Sequence, residues 1–149
     1  MTGKVVMVIL RAYPERYPAI VPLAKNLHVA FDGAFDAAGL VRVNAIEPEV
    51  ALLDLRGLTE PIGMLVHAAR ACLRSARLIV IGMPDDEHMA EQAIVAGAAG
   101  FLSKDLSDNA LLTAISRTSQ GALHLTSTGL RAINKLVGEN RGKPTTPRR

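Results

Sequence analysis

Val50-Ala51-Leu52-Leu53-Asp54 is the stretch that decides the fold. Four consecutive apolar residues that end in a carboxylate are typical of a strand buried on both faces of a parallel sheet. In open sheets built from alternating strands and helices, chemistry takes place at the carboxyl ends of the strands. The pattern therefore predicts that Asp54 lies at the functional edge of the sheet.

Apolar, strand-like runs alternate with helix-like segments on both sides of this stretch. That alternation predicts an α/β fold, a doubly wound parallel sheet with crossover helices. The five predicted strands are Lys4–Leu10, Leu27–Phe31, Glu49–Leu55, Arg77–Gly82 and Gly100–Ser103. The predicted helices are Phe35–Ile46, Pro61–Ser75, Asp86–Ala96 and Ser107–Gln120, the last with Ser107 as its N-cap.

The first crossover contains three prolines, Pro14, Pro18 and Pro22, where a helix is expected. Inside a helix, each proline removes a hydrogen bond and clashes with the preceding turn, although one is tolerated at the first position. We therefore expect either a short helix that starts near Pro18 or Pro22, or irregular chain.

The composition limits the class of protein. No apolar run reaches the roughly 18 residues that a membrane span requires, and no signal peptide begins the chain. The one cysteine, Cys72, cannot form an internal disulfide, which agrees with the reducing cytoplasm. Its small apolar neighbours on a predicted helix indicate that Cys72 is buried as a small hydrophobe.

Charge is unevenly distributed along the chain. Residues 1–126 hold 11 Lys/Arg and 13 Asp/Glu, a net charge of −2, whereas residues 127–149 hold 6 and 1, a net charge of +5. Thr126–Val137 has the apolar spacing of a helix, and Gly138–Arg149 has the composition of a flexible tail. The pattern favours a solvated basic linker over a surface that contacts DNA.

Three stretches in the second half of the chain carry a family resemblance. They read Gly82-Met83-Pro84-Asp85-Asp86-Glu87, Ala93-Ile94-Val95-Ala96-Gly97-Ala98 and Gly100-Phe101-Leu102-Ser103-Lys104-Asp105. Together with Asp54 they resemble the receiver domain of response regulators in two-component signalling, and within it the NarL/LuxR type. The resemblance covers about residues 4–122 and implies a flavodoxin-like sheet of strand order 2-1-3-4-5. We accordingly expect a receiver-like domain over 1–122 and a linker helix with a basic tail over 123–149.

The resemblance also implies roles for single residues. Asp54 matches the aspartate that receives a phosphoryl group from a histidine kinase, Lys104 the lysine that contacts the phosphoryl oxygens, and Phe101 the aromatic residue that rotates with state. Receivers further have two acids after the first strand that hold Mg²⁺, and a Ser or Thr after the fourth strand.

The chain departs from this pattern. The acid pair falls on Ile9 and Leu10, or on Leu10 and Arg11 if the register shifts by one, and neither alignment supplies a carboxylate. Gly82 stands where the family has a hydroxyl. Without the acids, Mg²⁺ would lack the oxygen ligands that it prefers. The four histidines lack metal-ligand spacing. We therefore expect no metal, no cofactor and no catalytic residue.

Three hypotheses about Asp54 follow. It could form an ion pair with Lys104 and have no chemistry, or it could retain some phosphotransfer. In addition, the guanidinium of Arg11 could lie at the place of the metal and bind Asp54 as a fixed cation.

The sequence as a whole predicts a pseudo-receiver of a transcription regulator that acts without phosphorylation and is not an enzyme. A phosphoacceptor that is still phosphorylated on Asp54 by a histidine kinase is the alternative. Expected partners are a second copy of the chain and DNA, the latter only through a missing C-terminal domain. A further hypothesis is a small-molecule sensor, in which a space lined by Ile9, Leu10, Gly82 and Met83 accepts an apolar ligand. Pro144–Arg149 resembles the entry to a LuxR-type helix-turn-helix, so we expect a fragment that ends there or, alternatively, a stand-alone receiver.

Overall fold

The computed structural model describes residues 4–84, 86–103, 105–125, 131 and 134–138. Its elements are β1 (Val5–Arg11), β2 (Leu27–Ala34), α1 (Ala37–Ile46), β3 (Val50–Asp54), α2 (Gly63–Cys72), β4 (Arg77–Ile81), α3 (Glu87–Val95), β5 (Gly100–Leu102), α4 (Asp108–Ser119) and β6 (His124–Leu125). The strands form one parallel sheet of order β2-β1-β3-β4-β5-β6. The predicted order 2-1-3-4-5 is therefore confirmed.

The sixth strand, β6, was not predicted. His124 and Leu125 pair with Gly100 and Phe101 at the edge of the sheet, so the sheet continues beyond residue 122. A strand of two residues has no periodicity that a sequence pattern could reveal.

The sheet has a separate apolar core on each face, because successive side chains of a strand point to opposite sides. Val8, Leu53 and Val80 pack on one face with helices α1, α2 and α3. Ile9 and Leu52 belong to the other core, which is completed by residues of α4. Both faces of the central strands are thus covered, which explains their uninterrupted apolar sequences.

The crossover between β1 and β2 contains no helix; it consists of turns and irregular chain. The irregular alternative of the two expectations is the one observed. The prolines prevent a regular helix, and Ile20 and Val21 of the crossover pack instead against the α4 side of the sheet.

Side-chain caps set the start of three helices. Asp36 accepts a hydrogen bond from the Gly39 backbone N–H, and Asp86 caps α3 in the same way. Ser107 caps α4 by accepting from the Ala110 N–H at 3.2 Å, so the predicted cap is confirmed. The cap at Asp36 also explains why α1 begins at Ala37 and not at Phe35.

Cys72 is exposed, so the prediction that it is buried was wrong. The buried face of α2 passes through Val66, Ala69 and Leu73, at the spacing of three and four residues that defines one side of a helix. Cys72 lies off that stripe. Among the described residues, no helix is long and apolar enough to span a membrane.

The C-terminal part of the chain is described at few positions. Arg131 and residues 134–138 are helical. They overlap the helix that the sequence predicts over Thr126–Val137, whose remaining residues lie outside the described part of the chain, as does most of the predicted flexible tail.

Candidate functional site

Asp54 lies at the carboxyl end of β3, and the strand register places Arg11 directly opposite it on β1. Both side chains are buried, with 5% of each residue exposed. The same register pairs Leu10 with Leu53, so of the residues predicted for the acid pair only Arg11 lies opposite Asp54. A cationic side chain therefore stands next to the aspartate at the end of β1.

Arg56 binds both carboxylate oxygens of Asp54. The Arg56 Nε donates to Oδ1 at 2.8 Å and the Arg56 Nη2 donates to Oδ2 at 2.7 Å, which is the bidentate geometry in which a guanidinium binds a carboxylate best. The same Nη2 donates to the Pro18 carbonyl at 3.0 Å. Sequence reasoning missed Arg56, and the available signal was an arginine two residues after a strand-end acid.

Arg11 bridges two acids. Its Nε and Nη2 donate to the two oxygens of Asp32 on β2, at 2.6 and 2.9 Å. Its Nη1 lies 3.7 Å from Asp54 Oδ2 and has no hydrogen bond in the described structure. The four side chains Asp32, Arg11, Asp54 and Arg56 form a continuous row of alternating charge, which we call the charge row. Asp32 was also missed, because its partner lies on a neighbouring strand.

Tyr17 of the irregular crossover packs against the Arg56 end of the charge row. Its ring lies against the Arg56 guanidinium, 4.9 Å from centroid to Cζ, and its hydroxyl contacts Met83 Sδ at 3.9 Å. Gly57 permits this close approach, because a Cβ there would lie 2.8 Å from the Tyr17 ring. Gly57 also has a φ of +91°, which is strained for other residues.

Gly82 has no space for the hydroxyl side chain that the family carries at this position. A Cβ on Gly82 would lie 2.4 Å from Met89 Sδ and 2.7 Å from Phe101 Cζ. Phe101 is fully buried, so its ring fills the position beside β4 that a Ser or Thr would need.

The ligand space predicted from Ile9, Leu10, Gly82 and Met83 does not exist as one cavity. Ile9 and Leu10 are fully buried and point into the two opposite cores. Met83 instead lines a separate cleft of about 440 Å³ between the loop after β3 and the start of α3.

Lys104 lies outside the described residues, so its predicted ion pair with Asp54 remains a prediction. Asp85 is not described either. Within the described ranges, no group of three or more His, Cys, Asp or Glu side chains could hold a metal ion.

No model of a protein family matches the chain. The transcriptional regulatory protein MctR of Rhizobium johnstonii is 26% identical over 131 residues, which are 87% of this chain and 61% of MctR. A Mycobacterium tuberculosis protein named as the transcriptional regulatory protein NarL is 30% identical over 99 residues, 66% of this chain and 46% of that protein. The chain spans about half the length of the curated relatives that it matches.

The solved structures that are similar to this chain include receiver domains of the same type of regulator. The signal receiver domain of Mycobacterium tuberculosis NarL aligns with a TM-score of 0.65 and 28% identity over 80% of this chain and 98% of the solved one. RcsB aligns with a TM-score of 0.66 over 89% of this chain and 69% of the solved one, but at 15% identity it shows the fold alone. The relatives of this chain are therefore response regulators of the NarL and LuxR type, and its described sheet and helices have the fold of their receiver domains.

Proposed function

We propose that this receiver regulates transcription without phosphorylation of Asp54. The observation that carries the proposal is that Arg56 binds both carboxylate oxygens of Asp54, while Arg11 stands 3.7 Å away where the family has an acid. A phosphoryl group would have to bond to an oxygen that is already bound by a guanidinium. Forming the acyl phosphate would therefore compete with the Arg56 pair for the Asp54 oxygens.

The charge row does not fit Mg²⁺. The ion needs several oxygen ligands in near-octahedral geometry, and it neutralises charge that develops during phosphoryl transfer. Here the Asp54 oxygens are bound by Arg56, the Asp32 oxygens are bound by Arg11, and two guanidinium groups would repel a divalent cation. Arginine remains charged at any physiological pH, so this repulsion is permanent.

Burial supports the same proposal. Asp54 is 5% exposed and lies beneath Arg56, which Tyr17 covers in turn. A phosphodonor would have to displace both side chains before it reached the carboxylate. The ion pairs and the Tyr17 ring hold this end of the sheet in one arrangement. Regulation by the domain then depends on which partner binds the domain.

The partners follow from the family. RcsB has been solved as two dimers bound to two parallel DNAs. We propose that this chain likewise forms a homodimer, and that it reaches DNA only through a C-terminal domain outside its 149 residues. The same proposal places the protein in the cytoplasm and gives it no enzymatic activity. A small-molecule ligand would need a site other than the space predicted from Ile9 and Leu10, because both are fully buried.

The test is exposure of the purified chain to acetyl phosphate with Mg²⁺, followed by intact mass spectrometry. A receiver that retains both acids and its hydroxyl serves as the positive control. We expect the control to gain a phosphoryl group and this chain to gain none, and we expect beryllofluoride with Mg²⁺ to leave its NMR spectrum unchanged. A phosphoryl group on Asp54 would contradict the proposal and establish the phosphoacceptor alternative, which the position of Asp54 at the end of β3 favours.

A further inference from the structure

Two ion pairs join α3 to the helical residues near the C-terminus. Arg131 Nε lies 2.5 Å from Glu87 Oε1, and Lys135 Nζ lies 3.6 Å from Glu91 Oε2. The acids are four residues apart on α3 and the bases are four residues apart on the C-terminal segment. Four residues are about one helical turn, so consecutive turns of the two segments are matched.

This matching defines direction as well as position. Arg131, the first base, pairs with Glu87, the first acid, and Lys135 pairs with Glu91. The two segments therefore run parallel to each other. The charges are complementary too, because both α3 side chains are acidic and residues 127–149 carry a net charge of +5. Two pairs in one register specify an orientation that a single pair would leave free.

The two ion pairs lie on the face of the sheet that carries α3. Helix α4 packs on one face of the sheet, β6 forms the edge, and α3 packs on the opposite face. Arg131 and Lys135, which contact α3, therefore lie on the other side of the sheet from α4. A partner that used the same surface of α3 would have to displace them.

We propose that the acidic surface of α3 is a docking site for the chain's own basic C-terminal helix, and that this electrostatic contact controls access to α3. The four side chains are partly exposed, from 24% for Glu91 to 56% for Lys135, so the contact is readily reversible and sensitive to salt. The contact between α3 and the C-terminal helix does not depend on whether Asp54 is phosphorylated.

Charge exchange in the full chain tests the proposal by hydrogen–deuterium exchange of residues 131–138. Glu87→Lys with Glu91→Lys should raise the amide exchange rate in that segment roughly tenfold, since two exposed pairs are replaced by repulsion. Adding Arg131→Glu and Lys135→Glu should restore protection, because the pairs re-form with reversed signs. Glu15→Lys with Glu47→Lys makes the same change in net charge at exposed sites outside α3 and should leave the segment protected.

Proximity is tested separately by a bismaleimide cross-linker applied to Glu91→Cys and Lys135→Cys in a Cys72→Ser background, because the two long side chains meet at their tips and a direct disulfide would need closer backbones. We expect the reagent to produce a cross-link within one chain. Cross-links only between chains would overturn the proposal and show that the surface receives the helix of a second copy. Unchanged exchange after charge reversal, or reversal without recovery in the fourfold variant, would also overturn it.

Discussion

Arg11 and Asp54 face each other across neighbouring parallel strands, with Nη1 of the guanidinium 3.7 Å from Oδ2 of the carboxylate. The guanidinium is a cation that is part of the protein and is buried beside the carboxylate. The positive charge next to Asp54 is therefore fixed and does not depend on a bound ion. Arg56 adds a second guanidinium, which binds both oxygens of the same carboxylate.

Arg11→Ala should destabilise the protein by about 2–3 kcal/mol, because it leaves Asp32 without its guanidinium partner and removes a buried charge beside Asp54. Urea unfolding followed by circular dichroism measures the loss. Arg42→Ala is the matched control, since Arg42 is exposed and contacts the Phe31 ring. Similar stabilities for the two variants would show that the charge row contributes little.

Gly82→Ser should not restore a functional hydroxyl; it should cost about 1–3 kcal/mol through overpacking against Met89 and Phe101. Thermal unfolding measures the effect. Gly63→Ser is the control, because a Cβ there meets nothing within 4 Å. Met89→Ala combined with Gly82→Ser should destabilise less than the sum of the two single changes. A Gly82→Ser variant as stable as the parent chain would mean that the Phe101 ring moves aside freely.

Tyr17→Ala should destabilise the chain by about 1–2 kcal/mol, because it removes the ring that lies over Arg56. Tyr17→Phe keeps the ring and loses only the hydroxyl contact with Met83, so its loss should be below about 0.5 kcal/mol. Chemical denaturation of both variants provides the comparison. Equal losses would assign the effect to the hydroxyl and not to the stacked ring.

His124 should make stability depend on pH. Burial, and then the positive charge of Arg117, lower the pKa of His124 from 6.5 in the folded state. Below 6.5 the unfolded chain therefore binds a proton that the folded chain does not yet bind, so stability is complete above 6.5 and falls as pH falls towards the folded pKa.

His124→Gln should remove this part of the pH dependence and leave the rest unchanged. Midpoints of urea unfolding from about pH 8 to about pH 5 test it, with the two proteins compared at each pH. The difference between their midpoints should change only below about 6.5, where the unfolded histidine gains its proton. A constant difference over the whole range would exclude His124 as the source.

The elements could be predicted because their signals are local. Apolar runs such as Val50–Leu53 predict buried strands, and Ser107 just before the periodic apolar residues of the last predicted helix predicts a cap, since each depends on neighbouring residues alone. The resemblance in the second half of the chain added the strand order. Cys72 was misplaced because the exact face of α2 in contact with the core depends on how that helix is rotated against the sheet.

The side chains that bind Asp54 could not be predicted from local signals in the sequence. An aspartate at the end of a strand has several cations within reach in principle, and the choice depends on distances between side chains from different elements. Folding brings Arg56 from the adjacent loop and Arg11 from the neighbouring strand to the carboxylate, and it places the Tyr17 ring against Arg56. Sequence periodicity specifies which residues are buried, but the pairing of buried charges is a three-dimensional property, since it requires both geometry and exclusion of water.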